Sequence, residues 1–266
     1  MRDREKVKLL EPRRVGKSSV AHAVVNRLRT AGVPTAGIDL AELGGGATEA
    51  ADALAEQLAP GLAAVSEARR AGGWLARLVA TRSQGEERLL AEVLATLAGN
   101  RGGPAAVLSR VAEATDGDSA VVLIDEAHHL ASWPAPDRDG LREFLRNDVG
   151  MGVIVASSEA SALEALIGPD GPLRYVAQRF PLPPIDREDW LHALPARFEE
   201  VGAPIVDGAL ALLLDEARGH PYCTMLLARE AARIGQPIGE VTETVVEAAL
   251  LGVTQDEAWR LRDDLG

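Results

Sequence analysis

The fold of this chain is decided by the stretch Val7-Lys8-Leu9-Leu10-Glu11-Pro12-Arg13-Arg14-Val15-Gly16-Lys17-Ser18-Ser19. It opens with an apolar segment typical of a short strand, passes through a polar loop, and ends where a helix is predicted to begin. This is the setting of the phosphate-binding loop Gly-x-x-x-x-Gly-Lys-Ser/Thr. Gly16, Lys17 and Ser18 match that pattern, whereas Glu11 stands where the pattern has its first glycine.

The composition is that of an acidic globular protein. The 266 residues are 47% hydrophobic and 26% charged, and the formal net charge is -12. This charge argues against a protein that coats nucleic acid through its overall field. Residues 1–30 depart from the trend, with nine Lys or Arg against three acids. Their basic character fits either an anionic ligand beside the loop or a solvated N-terminus.

Cysteine content and hydropathy bear on where the protein works. The single Cys223 cannot form an internal disulfide, and no zinc-ligand array is apparent, which predicts a reducing, cytoplasmic setting. Cys223 itself falls in an apolar helical run and is expected to be a small core residue. No apolar run approaches the roughly 18 residues of a membrane-spanning helix, and residues 1–10 are too charged for a signal peptide. No membrane partner is expected.

Strand patterns recur along the first two thirds of the chain. Continuous apolar runs at Ala120–Ile124 and Gly152–Ala156 predict parallel strands buried on both faces. Weaker patterns predict strands at 34–40 and 174–182. Together with the strand before the loop, they predict an α/β fold of three layers around a five-stranded, mainly parallel sheet.

Helical periodicity fills the intervals between these strands and then takes over. Beyond Asp186 the strand patterns cease, and the proline-rich segment at 181–184 marks a predicted boundary between a domain at 1–183 and a helical domain at 184–266. Residues 133–140 are assigned to a loop. The predicted helices are 17–31, several pieces within 48–115, 141–147, 161–167, 186–201, 207–218, 221–234, 241–251 and 254–264.

Lys17 and Ser18 carry the chemistry that the loop motif needs. A nucleoside triphosphate requires backbone N–H groups around its phosphates, a lysine on the terminal phosphates and a hydroxyl on Mg²⁺. Lys17, Ser18 and the predicted helix start supply these groups in the right order.

Asp125 and Glu126 follow a buried strand directly. The carboxyl end of such a strand is where doubly wound sheets bind ligands. One carboxylate can hold Mg²⁺ and the other can polarise an attacking water. The same residues could instead provide a helix N-cap and a first-turn acid, and both interpretations stay open at this point.

Taken together, these stretches resemble the P-loop ATPases of the AAA+ and STAND type, especially the archaeal-ATPase group. The resemblance spans residues 7–235 and rests on four segments: 11–19 as Walker A, 121–130 as Walker B, 153–159 as the sensor 1 region, and Gly219-His220-Pro221-Tyr222 in the helical lid. It implies that 1–183 is a P-loop nucleotide-binding domain and 184–266 its lid.

The resemblance also implies roles for individual residues. Asp125 looks like a metal-positioning acid and Glu126 like the water-polarising acid. Ser157 or Ser158 looks like the residue that senses the terminal phosphate, with a strand-end cap as the alternative, and His220 is a candidate sensor in the lid. Arg179 lies where relatives place an arginine finger, a role that we do not expect here. The expected nucleotide-binding residues are Arg14, Val15, Gly16, Lys17, Ser18 and Ser19, and the expected metal ligands are Ser18 and Asp125.

Three departures from the family pattern bear on activity. A carboxylate at Glu11 within roughly 5 Å of a phosphate charge would add a repulsion of about 3 kcal/mol at an effective dielectric near 20, enough to weaken binding about a hundredfold. Few residues precede the first strand, and Arg4-Glu5 is at best a remnant of the adenine-pocket box that relatives carry there. The chain stops soon after the lid. These features fit a shortened or degenerate member.

Two functions from different classes therefore stand. The leading one is an ATPase that binds ATP and Mg²⁺ and couples binding or hydrolysis to rearrangement of its lid. The alternative is a regulatory or scaffold module that keeps the fold without hydrolysing nucleotide. A DNA-associated loader is less favoured because of the net charge. The expected partners are ATP and an unidentified protein, with a homo-oligomer left open.

Overall fold

The computed structural model describes residues 6–9, 15–44, 46–67, 75–76, 78, 86–98, 103–115, 120–147, 151–168, 171, 177–180, 182, 185–256 and 259. The chain divides into two compact units, one made of Met1–Arg13 and Lys17–Pro181 and the other of Arg14–Gly16 and Leu182–Gly266. Among the described residues, no helix is both long and apolar enough to cross a membrane.

Parallel strands form the centre of the first unit. The strands are β1 (Lys6–Leu9), β2 (Thr35–Asp39), β3 (Ala120–Asp125), β4 (Met151–Ala156) and the two-residue β5 (Gln178–Arg179). They follow one another across the sheet in the order β2-β3-β4-β1-β5, and every pairing is parallel. Because parallel strands end at the same edge, the residues that follow β3 and β4 are brought to one side of the sheet.

Helices pack around these strands. They are α1 (Lys17–Thr30), α2 (Ala47–Glu67), α3 (Glu86–Ala98), α4 (Gly103–Ala114), a 3-10 helix (Ala127–Ser132), α5 (Ala135–Arg146) and α6 (Ala160–Ile167). Helix α1 contacts β2, β3 and β4, and α2 contacts β2. The core is built from fully buried side chains such as Leu54 and Leu58 of α2, Val111 of α4, and Val122 and Ile124 of β3. The apolar run of β3 is buried as its sequence predicts, except at Val121, which is partly exposed.

The second unit is helical. It consists of α7 (Arg187–Glu200), α8 (Asp207–Ala217), α9 (Pro221–Gly235) and α10 (Glu243–Val253). These helices enclose a core of their own around Trp190, Phe198, Leu213 and Leu227. Cys223 is fully buried in this core, which confirms the expected packing role.

Two sequence predictions of secondary structure need correction, and parts of two others are not tested. Residues 133–140 are not a loop, because α5 begins at Ala135; Pro136 lies in its first turn, where a missing N–H costs no helical hydrogen bond. A lone parallel bridge joins Ile205 to Val241, so extended pairing does not cease entirely after Asp186. Most of the predicted helix 254–264, and the predicted strand residues 174–176, lie outside the described residues.

Candidate functional site

The loop that is predicted to bind phosphate precedes helix α1, which begins at Lys17. Gly16 has a φ of +92°, a backbone conformation that residues other than glycine rarely adopt. Lys17 follows as the first helical residue. The Lys17 side chain is 5% exposed, whereas Ser18 and Ser19 are exposed in the first helical turn. The unpaired N–H groups of a helix start favour an anion there. Glu11 and Arg14 lie outside the described residues.

Asp125 ends strand β3 and is almost fully buried, with 2% of it exposed. Its Oδ1 accepts a hydrogen bond of 2.9 Å from the Glu126 N–H. Its Oδ2 lies 3.9 Å from Nε2 of His22, which belongs to α1 and comes five positions after Lys17. The carboxylate of Asp125 is thus next to α1, the helix that follows the predicted phosphate-binding loop.

Glu126 has a left-handed backbone, with φ of 48° and ψ of 41°. Such a conformation costs a residue other than glycine about 1–3 kcal/mol. Glu126 stands before the 3-10 helix yet makes no side-chain capping bond to it, so the helix-cap interpretation does not describe its side chain. Instead, its Oε2 accepts hydrogen bonds from Oγ of Ser158 at 2.8 Å and from the N–H of Ser158 at 3.3 Å.

Ser157 and Ser158 follow β4, the strand next to β3, and their hydroxyls make different contacts. Ser157 is fully buried; its Oγ accepts from the Glu159 N–H at 3.0 Å and donates to the Glu159 carbonyl at 3.4 Å. This is the geometry of a strand-end cap, the alternative that the sequence leaves open for Ser157. Ser158 is the serine that reaches Glu126.

His128 joins these groups, and sequence reasoning misses it. Its Nδ1 lies 3.0 Å from Ser157 Oγ and 3.2 Å from Glu126 Oε2, and its Nε2 lies 3.9 Å from an oxygen of Glu159. The contact between Nδ1 and Ser157 Oγ is a hydrogen bond whose direction depends on which ring nitrogen of His128 carries the proton. Because His128 and His129 have no partners at metal-ligand spacing in the sequence, the sequence predicts surface or packing histidines here. The position of His128 two residues after the acidic pair is the one signal that could have revealed it.

The remaining predicted residues have local roles of their own. His220 belongs to the second unit, is 1% exposed and precedes α9, where its Nδ1 accepts from the Cys223 N–H at 3.4 Å. Arg218 and Gly219, just before it, both have positive φ. The backbone of Arg179 pairs with Lys8, and the Arg179 side chain is outside what the structure describes.

The described part of the chain contains no cluster of three or more His, Cys, Asp or Glu side chains that could bind a metal by themselves. A magnesium ion held mainly by phosphates needs fewer protein ligands than that. The hydroxyl of Ser18 and the carboxylate of Asp125 are hard oxygen donors of the type that Mg²⁺ prefers. The donor chemistry therefore fits the predicted ion.

Comparison with known proteins assigns the fold. Neither the protein-family models nor the curated proteins gave a match to this sequence. Among solved structures, a Walker-type ATPase of Pyrococcus abyssi is similar over 99% of this chain and 72% of its own, with a TM-score of 0.61 and 19% identity.

Two other similar structures are longer than this chain. The RuvB Holliday junction branch migration motor of Thermotoga maritima matches with a TM-score of 0.52 and 13% identity, over 95% of this chain and 63% of its own. The Aeropyrum pernix Orc1 protein in complex with DNA matches with a TM-score of 0.52 and 18% identity, over 95% of this chain and 60% of its own. The chain thus spans about three fifths of these two relatives. It has the α/β fold of the P-loop ATPases, as its sequence resemblance predicts.

Proposed function

We propose that this protein is a magnesium-dependent ATPase of the AAA+ and STAND type, in which nucleotide binding or hydrolysis rearranges a helical lid. The observation that carries the proposal is the 3.9 Å approach of His22 to Asp125, since it joins the helix that starts at Lys17 to the acidic pair after β3. Phosphate-binding and acidic groups at one edge of a parallel sheet are what phosphoryl transfer requires.

The first turn of α1 would hold the phosphates. The N–H groups of residues 15–19 and the ammonium of Lys17 would donate hydrogen bonds to the phosphate oxygens. Gly16 provides the turn that lets the backbone approach an anion. Ser18 and Asp125 would hold Mg²⁺. The ion, when bound, neutralises the charge that develops on the phosphate oxygens.

Glu126 would orient and polarise the attacking water. Ser158 and His128 both contact the same oxygen, Oε2, which leaves Oε1 to accept a hydrogen bond from water. Two partners on one oxygen fix the direction of the other. In this proposal Ser158 and His128 position Glu126, and Ser157 or Ser158 senses the terminal phosphate.

The second unit would serve as the lid. Its helices α7–α10 have a core separate from that of the first unit, which supports movement as a body. His220, which begins α9, is the proposed lid residue that responds to nucleotide. We propose in addition that the first unit has three layers around its sheet and that the protein works in the cytoplasm.

A titration with Mg-ATP tests this function. Lys17→Ala is expected to abolish binding, because the variant removes the one ammonium at the start of α1. Arg27→Ala, an exposed change near the other end of the same helix, is the matched control and should bind like the wild type. Isothermal titration calorimetry on the three proteins, with circular dichroism to confirm folding, gives the answer. Equal affinity of Lys17→Ala and wild type would sink the proposal.

The rival function is a regulatory module that binds nucleotide weakly or not at all, and Glu11 favours it. Under this alternative the wild type shows no Mg-ATP binding while Glu11→Gly restores it, since the variant removes the carboxylate and allows the tight turn. Similarity to Orc1 in complex with DNA and to RuvB raises a DNA-associated role as well. Absence of salt-dependent DNA binding would eliminate that role.

A further inference from the structure

The second unit contains an apolar groove between α7 and α9. Its volume is about 600 Å³. Leu194 and Phe198 of α7 and Leu226 of α9 form its apolar floor, and they belong to the core of the unit. Val201 and Met225 line the same groove and are 47% and 43% exposed. Apolar side chains that remain this accessible around a cavity mark a binding surface rather than a filled core.

One face of α9 runs along the groove. Tyr222, Met225, Leu226 and Arg229 succeed one another at intervals of three, one and three residues, which places them on one helical stripe. Helix α9 also contacts α8 and α10. The residues of α9 that line the groove run from Tyr222 to Arg233, so the groove follows most of that helix, an arrangement that suits another helix as ligand.

The groove carries positive charge in an acidic protein. Of the described residues that line it, Arg197, Arg229 and Arg233 are basic and Glu200 is acidic. Arg233 is paired with Glu230 at 2.9 and 2.6 Å, and this hydrogen bonding holds the pKa of Glu230 below its ordinary value, so that pair stays neutral overall.

Arg197 and Arg229 are the remaining basic groups of the groove, and Glu200 offsets one of their two charges. Both arginines are exposed, one on each helix of the groove. Neither guanidinium makes a hydrogen bond or close ion pair within the described part of the chain, but the charge of Arg229 helps to lower the pKa of Glu230. The chain as a whole carries -12. Two exposed guanidinium groups beside an apolar floor thus favour a ligand that has apolar and acidic groups together.

We propose that this groove binds an acidic amphipathic helix of a partner protein. The helix would present apolar side chains at i, i+3 or i+4, and i+7 to Leu194, Phe198 and Leu226, and carboxylates on its flanks to Arg197 and Arg229. A second copy of this chain is a poorer occupant because its overall acidity opposes close approach. The inference does not depend on nucleotide binding, so it and the ATPase proposal can fail separately.

A displayed library of random 16-residue peptides, selected on the full-length protein, tests the inference. Peptides that also bind the Met225→Asp variant are removed, because this exposed substitution places a carboxylate at the groove without disturbing the core. The survivors are expected to share apolar residues at helical spacing and flanking Asp or Glu. An empty selection, or survivors that are basic or lack helical spacing, would overturn the proposal.

Affinity measurements on a selected peptide complete the test. The double variant Arg197→Glu, Arg229→Glu should lower the affinity for the peptide about tenfold or more. Two surface ion pairs are lost, and the new carboxylates repel the acids of the peptide. Arg146→Glu, an exposed reversal in the first unit, should leave it unchanged. A peptide with its acids changed to lysine should not bind. Equal binding by the double variant contradicts the proposal, and so does sedimentation showing a wild-type dimer that Met225→Asp converts to monomer.

Discussion

At the scale of single residues, Glu126 has a strained, left-handed backbone conformation and a side chain whose carboxylate is hydrogen-bonded. Its left-handed conformation directs the chain from β3 into the 3-10 helix, and Ser158 and His128 both contact its Oε2. Residues that are strained and yet fixed by their surroundings are concentrated at functional sites. The two contacts stabilise one orientation of the carboxylate against the alternatives that free rotation would allow.

Ser158→Ala is therefore expected to lower ATP turnover about tenfold while the affinity for Mg-ATP stays unchanged, because second-sphere partners of this type contribute roughly one order of magnitude. Glu126→Gln sets the reference: it should bind nucleotide normally and show no turnover. Phosphate release and calorimetric titration measure the two quantities. Faster turnover in Ser158→Ala would contradict the positioning role, since it would mean that Ser158 restrains Glu126.

The sequence predicted part of this cluster. It identified Asp125, Glu126 and the two serines because strand-end position is a local property that the apolar runs reveal. It missed His128, whose partner Ser157 is 29 positions away along the chain. Only the pairing of β3 with β4 brings the histidine and the serine together, and a single sequence has no local signal for that contact.

At the scale of elements, the outer strand β2 is protected by a side chain. Strand β2 ends the sheet, so the backbone groups on its outer side have no strand to pair with. Gln57 of α2 takes the place of the missing strand at Gly37. Its side-chain amide accepts a hydrogen bond from the Gly37 N–H at 2.9 Å and donates one to the Gly37 carbonyl at 2.9 Å. An amide side chain imitates a neighbouring strand here, which blunts an edge that could otherwise pair with another molecule.

Gln57→Met should reduce the free energy of unfolding by about 1–3 kcal/mol, since it leaves two backbone groups of a partly buried strand unsatisfied. Glu56→Met, the exposed neighbour on the same helix, is the control and should change stability little. Urea denaturation followed by circular dichroism measures both. If the two variants unfold at the same urea concentration, the edge protection by Gln57 is not important for stability.

The sequence predicts a loop at residues 133–140, but helix α5 begins within them at Ala135. Two prolines and a glycine within eight residues predict a loop by composition. The structure instead uses Pro134 to begin α5, with its carbonyl accepting from the N–H groups of Asp137 and Arg138 at 3.1 Å each. Proline is compatible with a helix start, and composition alone does not distinguish a start from a loop.

At the scale of the whole molecule, the chain contains two separate cores. One is built from α2, α4, α5 and the strands, and the other from α7 to α10. A hydrophobic core of its own is the main requirement for the independent folding of a segment. If the domain boundary lies between 183 and 184 as predicted, residues 184–266 should be able to fold when separated from the rest of the chain.

We expect a fragment of residues 184–266 to fold alone. It should unfold cooperatively with heat and show a near-ultraviolet circular dichroism signal from Trp190, which lies in its core. The same fragment with Leu227→Asp is the control, because a carboxylate at this fully buried position has no partner in the core and should abolish the transition. A wild-type fragment without a cooperative transition would show that the helices need the rest of the chain.

By itself the sequence determined the α/β class, the order of its elements, the Gly-Lys-Ser loop ahead of α1 and the acidic pair after β3. These follow from hydrophobic periodicity and from residue types at short spacing, which act within a few residues. The tertiary structure alone decided that Ser158, 32 positions away, holds Glu126, that Gln57 protects β2, and that arginines flank an apolar groove. Such contacts depend on which strands and helices become neighbours, and that is set by packing of the whole chain.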